Sequence, residues 1–186
     1  STDGSRALLE ELAATYPLTI VPGPGLGAAA ALNAGIRSAQ YALIGQVDQD
    51  VVLAPDWTRH LVATLDSDRH LAAAQGYYAT DPTASFFPRL MGLDLEQRYA
   101  DISGPTDHVC TGNTVYRAEA LRAVGLLDET LGYGYDNDLS YRLLGAGYRL
   151  ALCRAARSRH RWREGLAGYL TQQYGFGYGR IDVVAR

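Results

Sequence analysis

The run Tyr41-Ala42-Leu43-Ile44-Gly45-Gln46-Val47 is mostly apolar and ends in Asp48-Gln49-Asp50, two carboxylates spaced i, i+2. The run reads as a buried strand, and in α/β folds ligands bind beyond the carboxyl ends of strands. Two acids one residue apart on a loop can turn toward one hard cation, because oxygen ligands suit Mg²⁺ or Mn²⁺. An isolated pair is explained more simply as a polar strand end facing water or capping a helix. Its meaning therefore depends on what else the chain supplies.

Three further constellations bear on that question. Val109–Arg117 places Gly112 and Asn113 inside a strand-like run; a glycine there marks a bulge or a close approach of backbone to a ligand. In Gly132–Leu143, Asp136 and Asp138 open a helix, where negative charge meets the positive end of the dipole. A carboxylate held near a cleft can also act as a general base toward a hydroxyl. Arg154, Arg157, Arg159, His160, Arg161 and Arg163 crowd ten residues with positive charge. They form either a solvated loop or a surface for diphosphate or anionic lipid.

The elements that would carry these groups follow from periodicity and breakers. Helices are expected over Ser5–Tyr16 with Ser5 as N-cap, Ala28–Ser38, Pro55–Ser67, Phe86–Tyr99, Ala118–Val124 and Leu139–Leu144. A last helix, Trp162–Ile181, is interrupted by Gly175, Gly177 and Gly179. Strands are expected at Leu18–Val21, Tyr41–Val47, Leu71–Tyr78, Val109–Arg117 and Tyr148–Leu152. The alternation predicts one α/β domain with a largely parallel sheet.

Composition narrows the chemistry. The chain has 186 residues, 47% hydrophobic and 20% charged, with net charge −3, so one ordinary core is affordable and no global attraction to nucleic acid exists. All 17 basic residues are Arg. Without Lys there is no Schiff base and no Walker-type phosphate lysine. Cys110 and Cys153 suggest neither a disulfide framework nor a thiolate zinc site, and fit a reducing compartment. No apolar run approaches the roughly 18 residues needed to cross a membrane, and there is no signal-peptide pattern.

Gly23-Pro24-Gly25-Leu26-Gly27-Ala28, between an expected strand and helix with Asp48 about twenty residues on, imitates a dinucleotide site. Pro22 and Pro24 argue against NAD, since they remove N–H groups that would face pyrophosphate. That scheme also leaves Asp50 and the downstream acids unused.

In order along the chain, Ser1-Thr2-Asp3-Gly4-Ser5 looks like the tail of "DDGSTDGS", and Gly27–Ile36 is similar to "G-x-x-x-A-x-N-x-G-I". Asp48-Gln49-Asp50 is followed by Pro55-Asp56-Trp57. Thr111-Gly112-Asn113 through Val124–Glu129 is similar to "G-N-x-x-x-R-R-E-A-L…V-G-G-F-D-E". Asp136–Leu143, closed by Ala146-Gly147-Tyr148, resembles "E-D-x-D-L-x-x-R-L…A-G-Y". The chain thus resembles the family 2 inverting glycosyltransferases of the GT-A fold.

The resemblance implies a three-layer α/β/α sandwich with a mostly parallel mixed sheet and without its first β-α-β unit. Residues 1–105 would form the nucleotide and metal part, 106–160 the donor-sugar and acceptor part, and 161–186 a helical tail. A UDP- or GDP-sugar would give its sugar, with inversion, to a saccharide or lipid-linked acceptor in polysaccharide, cell-wall or glycolipid synthesis. Asp50 would hold Mg²⁺ or Mn²⁺ at the diphosphate, with Asp48 on the ribose or supporting the metal and His160 as a further metal or diphosphate contact. Gly27 and Asn33 belong to the nucleotide motif, and Gly112 and Asn113 would line the donor sugar. Asp136 would be the base, with Asp138 the second choice because Tyr135 replaces the family's Glu.

Leu32 replaces a basic residue, removing one diphosphate contact, and Gln172–Arg180 does not match Q-x-x-R-W, which disfavours a processive synthase. The expected location is cytoplasmic, with peripheral contact at the inner membrane face through the Arg154–Arg163 loop and the tail. A non-catalytic remnant of the same fold is the competing reading.

Overall fold

The computed structural model describes residues 3–23, 25–102 and 104–185, so Ser1, Thr2 and Pro24 of the expected motifs lie outside the described residues. In chain order the elements are α1 (Ser5–Ala13), α2 (Ala28–Ser38), β1 (Leu43–Val47), β2 (Val51–Leu53), α3 (Trp57–Ser67), β3 (Leu71–Tyr78) and α4 (Phe86–Arg98). Next come β4 (Gly104–Thr106), β5 (Asn113–Arg117), α5 (Ala118–Ala123), α6 (Tyr135–Gly145), β6 (Arg149–His160) and α7 (Gly165–Val184).

One sheet runs in the order β1-β5-β3-β6-β2, with β4 also on β6. Period-two alternation along its strands separates two cores. Ala73, Tyr116 and Leu150 point to the side covered by α2, α5 and α6. Ala74, Val115 and Ala151 point to the other side, where Trp57, Leu61 and Leu65 of α3 pack. These are the three layers expected. Strands from before and after residue 105 interleave in this single sheet.

Parallel pairing is less prevalent than expected. Among the described strands only β3 and β6 run parallel; β1–β5, β3–β5, β2–β6 and β4–β6 are antiparallel. Alternating elements suggest direction only where a helix makes each crossover, and β5 enters between β1 and β3 from a loop and runs against both.

Several boundaries also move. Leu18–Val21 finds no strand partner and stays irregular and largely exposed, so the following glycine loop does not leave a strand. Ser5 is the first residue of α1 rather than its cap: Gly4 occupies that place at φ 85°, and Asp3 accepts from the Ser5 N–H (3.2 Å) and hydroxyl (2.7 Å). The Arg154–Arg163 segment is not a loop, because β6 continues to His160. α7 passes unbroken through its glycines. Gly175 and Gly179 are buried where α7 lies on Tyr133 and Gly134, and a Cβ at Gly179 would come within 2.8 Å of the Gly134 nitrogen and Tyr133 Cβ.

Asn33 ties α2 to the turn after α5. Its amide nitrogen donates to the Leu127 carbonyl (2.8 Å) and Glu129 (2.9 Å), and its oxygen accepts from the Leu127 N–H (3.0 Å). The side chain is 1% exposed and fully engaged. Its role is therefore a structural latch and not the nucleotide contact expected. Buried hydrogen-bonding groups left without partners cost about 1–3 kcal/mol each, so Asn33→Ala is expected to lower the unfolding free energy by about 2–4 kcal/mol in urea titrations. Mn²⁺ affinity should be unchanged within about twofold, the size of an ordinary surface effect.

Candidate active site

Asp48 and Asp50 flank the tight turn between β1 and β2, closed by the Val51 N–H on the Asp48 carbonyl (3.1 Å). β2 pairs antiparallel with the end of β6, setting Val51 opposite His160, and the Arg161 N–H donates to the Asp50 carbonyl (2.9 Å). This register brings together groups more than a hundred residues apart in sequence. One ligand atom each from Asp48, Asp50 and His160 lies within 4.8 Å of the others, and His160 Nε2 is 3.4 Å from Asp50 Oδ1.

The imidazole is held from two sides. It stacks on Trp162 (4.0 Å between centroids, 16° between planes) and meets the edge of Tyr78 at 5.7 Å. Gly112 allows the carboxylate of Asp48 to lie against the backbone, since a Cβ there would stand 2.3 Å from Asp48 Oδ2. The Asp48 N–H in turn donates to the Gly112 carbonyl (3.1 Å).

Burial and the neighbouring Asp50 charge push the Asp48 carboxyl above its ordinary range, partly offset by His160. Burial pushes the His160 imidazole down, against the pull of the two acids, and favours its neutral form. Among the described residues no arginine forms an ion pair with Asp48 or Asp50. Two close carboxylates and a neutral imidazole, uncompensated, fit a divalent cation that accepts oxygen and nitrogen, such as Mn²⁺.

Asp136, in the first turn of α6, lines a separate cavity of about 800 Å³ bounded by α4, α7 and the Gly132–Gly134 turn. Its carboxylate accepts from the Asn137 N–H (3.0 Å). Burial raises its pKa, and the charges of His108 and Arg180 oppose this only in part. Asp138 is committed elsewhere: Arg142 grips Asp138 Oδ2 through Nε (2.9 Å) and Nη2 (2.6 Å) and also donates to the Val124 carbonyl. Of the two acids, Asp136 is the one left facing a cavity.

The family model described as Glycosyl transferase family 2 matches residues 1–125. The chain belongs to this family. The "Pre-mycofactocin glycosyltransferase" of Mycobacterium tuberculosis is 29% identical over 169 residues, covering 86% of this chain and 35% of that protein. The "Succinoglycan biosynthesis protein ExoA" of Rhizobium meliloti is 26% identical over 190 residues, covering 97% and 57%. The chain therefore spans between about a third and three fifths of these relatives.

Among solved structures, the mannosyltransferase PcManGT from Pyrobaculum calidifontis, in complex with GDP-Man and Mn²⁺, superposes with TM-score 0.71 at 21% identity over 93% of this chain and 48% of that one. GalNAc-T7 with UDP, GalNAc and Mn²⁺ gives 0.67 at 16% identity over 91% and 39%. The fold is GT-A.

Within this glycosyltransferase domain, the expected site residues separate into groups. Asp48, Asp50, His160 and Gly112 converge, and Asp136 stands at the neighbouring cavity. Gly27 sits at the N-terminus of α2 beside Ala28, which lines the cavity wall. Asn113 is diverted: it is 0% exposed, accepts from the Trp57 indole N–H (2.6 Å) and donates to the Ser158 hydroxyl (2.8 Å), so it braces the sheet and does not face a sugar. Tyr78, Trp162 and Arg180 were not anticipated. Trp162 stands two residues beyond His160 and Tyr78 ends an apolar strand, but only the fold shows that they meet.

Alanine at Asp48, Asp50 or His160 is expected to weaken Mn²⁺ binding at least about tenfold, read by calorimetric titration. Binding needs an ionised Asp48 and a neutral His160. Affinity should hold near pH 7, then fall with decreasing pH, beginning above the usual carboxylate range because Asp48 takes up its proton early.

Proposed function

We propose that this domain transfers a sugar from a nucleotide-diphosphate sugar to an acceptor hydroxyl with inversion, assisted by a divalent cation. The observation that carries the reading is the pairing of a converged Asp48–Asp50–His160 set with a separate, half-buried carboxylate, free of any ion pair among the described residues, on a cavity. The solved neighbours hold GDP-Man or UDP together with Mn²⁺, which supports the same donor class here.

Asp48, Asp50 and His160 would hold the cation, which when bound neutralises charge growing on the leaving diphosphate. Asp136 takes the proton of the acceptor hydroxyl. The acceptor oxygen bonds to the anomeric carbon as the carbon–oxygen bond to the diphosphate breaks. That electron pair leaves with the nucleotide, and a single displacement inverts the centre. One carboxylate suffices, unlike hydrolysis by paired carboxylates, where a second acid protonates the leaving group. The name of ExoA, a succinoglycan biosynthesis protein, supports a place in polysaccharide synthesis.

The elevated pKa of Asp136 gives the test two signs. Its charged form is penalised in the folded protein, so a stability cost is present above the raised pKa and is relieved as pH falls through it. Asp136→Asn at neutral pH is therefore expected to raise the melting temperature. The same variant should lose transfer by about 100-fold or more, with Mn²⁺ and nucleotide affinities kept. Full transfer activity in Asp136→Asn would refute the base assignment.

Membrane contact, expected through the basic segment and the tail, is proposed here for α7. Arg154 is occupied by the Ala100 and Ile102 carbonyls, and both Arg154 and Arg157 lie over the Tyr77 ring. α7 instead turns Leu166, Leu170, Tyr174, Tyr178, Ile181 and Val184 outward as one stripe, and Ile181 and Val184 are 72% and 80% exposed. Arg161 and Arg163 precede it. No described helix is long and apolar enough to cross a membrane, so the stripe suits an interfacial position. Vesicles with anionic lipid should co-sediment the protein, and Leu170→Glu with Ile181→Glu should abolish this; unchanged co-sedimentation would count against the contact.

A further inference from the structure

Tyr78, the last residue of β3, sits between the two halves of the site. It is buried, and it stands in register with Ser158, two residues before His160 on β6. Its ring meets the His160 imidazole at 5.7 Å and the Trp162 indole at 6.0 Å between centroids, both steeply tilted. At the end of the ring the hydroxyl shares a hydrogen bond with Cys110 Sγ at 3.5 Å. Gly112 serves two neighbours: a Cβ there would stand 2.3 Å from Asp48 Oδ2 and 3.1 Å from the Tyr78 hydroxyl. Carboxylate and phenol therefore rest on the same bare backbone.

Metal-binding histidines are ordinarily aimed by a hydrogen bond on the second ring nitrogen. Here His160 Nδ1 is buried and meets no partner at hydrogen-bonding geometry among the described residues, the adjacent Arg161 backbone included. The aim of the imidazole therefore rests on ring packing. Trp162 stacks on it but is only half-buried and itself packs on Tyr78. Of the three rings only that of Tyr78 is buried.

The hydroxyl acts in the other direction. Cys110 is tied at every polar atom: its N–H donates to Gln75 Oε1 (2.7 Å), its carbonyl accepts from the Thr114 hydroxyl (2.5 Å), and its sulfur meets Tyr78. On one side of it, the Val109 N–H donates to the Ser140 hydroxyl (3.1 Å), which donates to the Asp136 carbonyl (2.8 Å). On the other, the Gly112 carbonyl accepts from the Asp48 N–H. Residues 109–112 thus run from the helix of Asp136 to the cation set, and Tyr78 grips them midway.

Resting on the transferase reading above, we propose that Tyr78 is a positioning residue for transfer. Its ring aims the His160 imidazole at the cation, and its hydroxyl fixes the 109–112 segment that spaces the Asp48 carboxylate from Asp136.

The test uses the whole chain, Mn²⁺ alone as probe, and two variants. Tyr78→Phe keeps the ring and drops the hydroxyl, whereas Tyr78→Leu drops both. Pulsed electron paramagnetic resonance of bound Mn²⁺ is expected to show nitrogen modulation from His160 in the unaltered chain and in Tyr78→Phe. Tyr78→Leu should lose it and bind Mn²⁺ at least about tenfold more weakly. In a His160→Ala background the Leu and Phe variants should bind alike within about twofold, because the ring acts through the imidazole. Hydrogen exchange over residues 109–114 should quicken about fivefold in Tyr78→Phe, the scale of one hydrogen bond, with α2 and α3 unchanged. Nitrogen modulation kept in Tyr78→Leu or lost in Tyr78→Phe, or unaltered exchange over 109–114 in Tyr78→Phe, would each overturn the proposal. Tyr78→Phe keeps the core filled, so its two readouts decide even if Tyr78→Leu does not fold. No Mn²⁺ binding by the unaltered chain would instead sink the cation reading. The ring-current shift of the His160 protons, kept in Tyr78→Phe and lost in Tyr78→Leu, would then decide whether Tyr78 places the imidazole.

Discussion

The structure hangs on a buried hydrogen-bonded chain laid across Gly76. The Trp57 indole donates to Asn113, Asn113 donates to Ser158, and the Ser158 hydroxyl reaches the Tyr77 carbonyl at 3.4 Å. This chain joins α3, β5, β6 and β3, and it does so where the β3–β6 register shifts between Gly76 and Tyr77. Any Cβ at position 76 would stand within 2.6 Å of both the Asn113 oxygen and the Trp57 nitrogen. Buried polar chains are valuable only when every member is satisfied. Satisfied as it is here, this one sets how far the end of β6 travels, and hence where His160 stands against β2.

Local electrostatics follow from that placement. β2 and β6 meet so that two carboxylates and an imidazole face each other with no arginine between them, although the chain contains 17. Two arginines of β6 are turned to other work, Arg154 to carbonyls and Arg157 to the Tyr77 ring. Negative charge left unbalanced in a partly desolvated place costs stability, and functional sites are where folds sustain that cost. Asp136 repeats the pattern at the cavity, with burial raising its pKa against backbone N–H donors and the charges of His108 and Arg180.

α7 shows how packing and surface chemistry divide on one helix. Two of its glycines, Gly175 and Gly179, which would weaken an isolated helix, form the buried face because they let the backbone close onto Tyr133 and Gly134. The bulky residues consequently face outward. The contact sits one residue before α6, so the seating of α7 and the orientation of Asp136 share a single joint. That joint also makes α7 a wall of the cavity.

Much of this was legible from residues alone, where the signal was local. Strong periodicity located α2, α3, β3 and α4 almost to the residue, the ordered motifs pointed to Asp48, Asp50, Gly112 and Asp136, and the basic segment offered His160. Asn33 and Asn113 belong to those same motifs, yet the fold uses both internally. An amide in a sequence does not say whether its partner will be a ligand or a neighbouring strand. The short strands β2 and β4, and the extension of β6 through an arginine-rich segment, carry no intrinsic signal because their hydrogen-bond partners come from elsewhere in the chain.

The sequence by itself therefore determined which groups are available and which family pattern they follow. Only the tertiary structure decided that Asp138 is held by Arg142 while Asp136 faces the cavity, and that His160 meets Asp50. The physical reason is that each outcome depends on contacts set by strand register and helix seating, and those are properties of the packed sheet and not of any one segment.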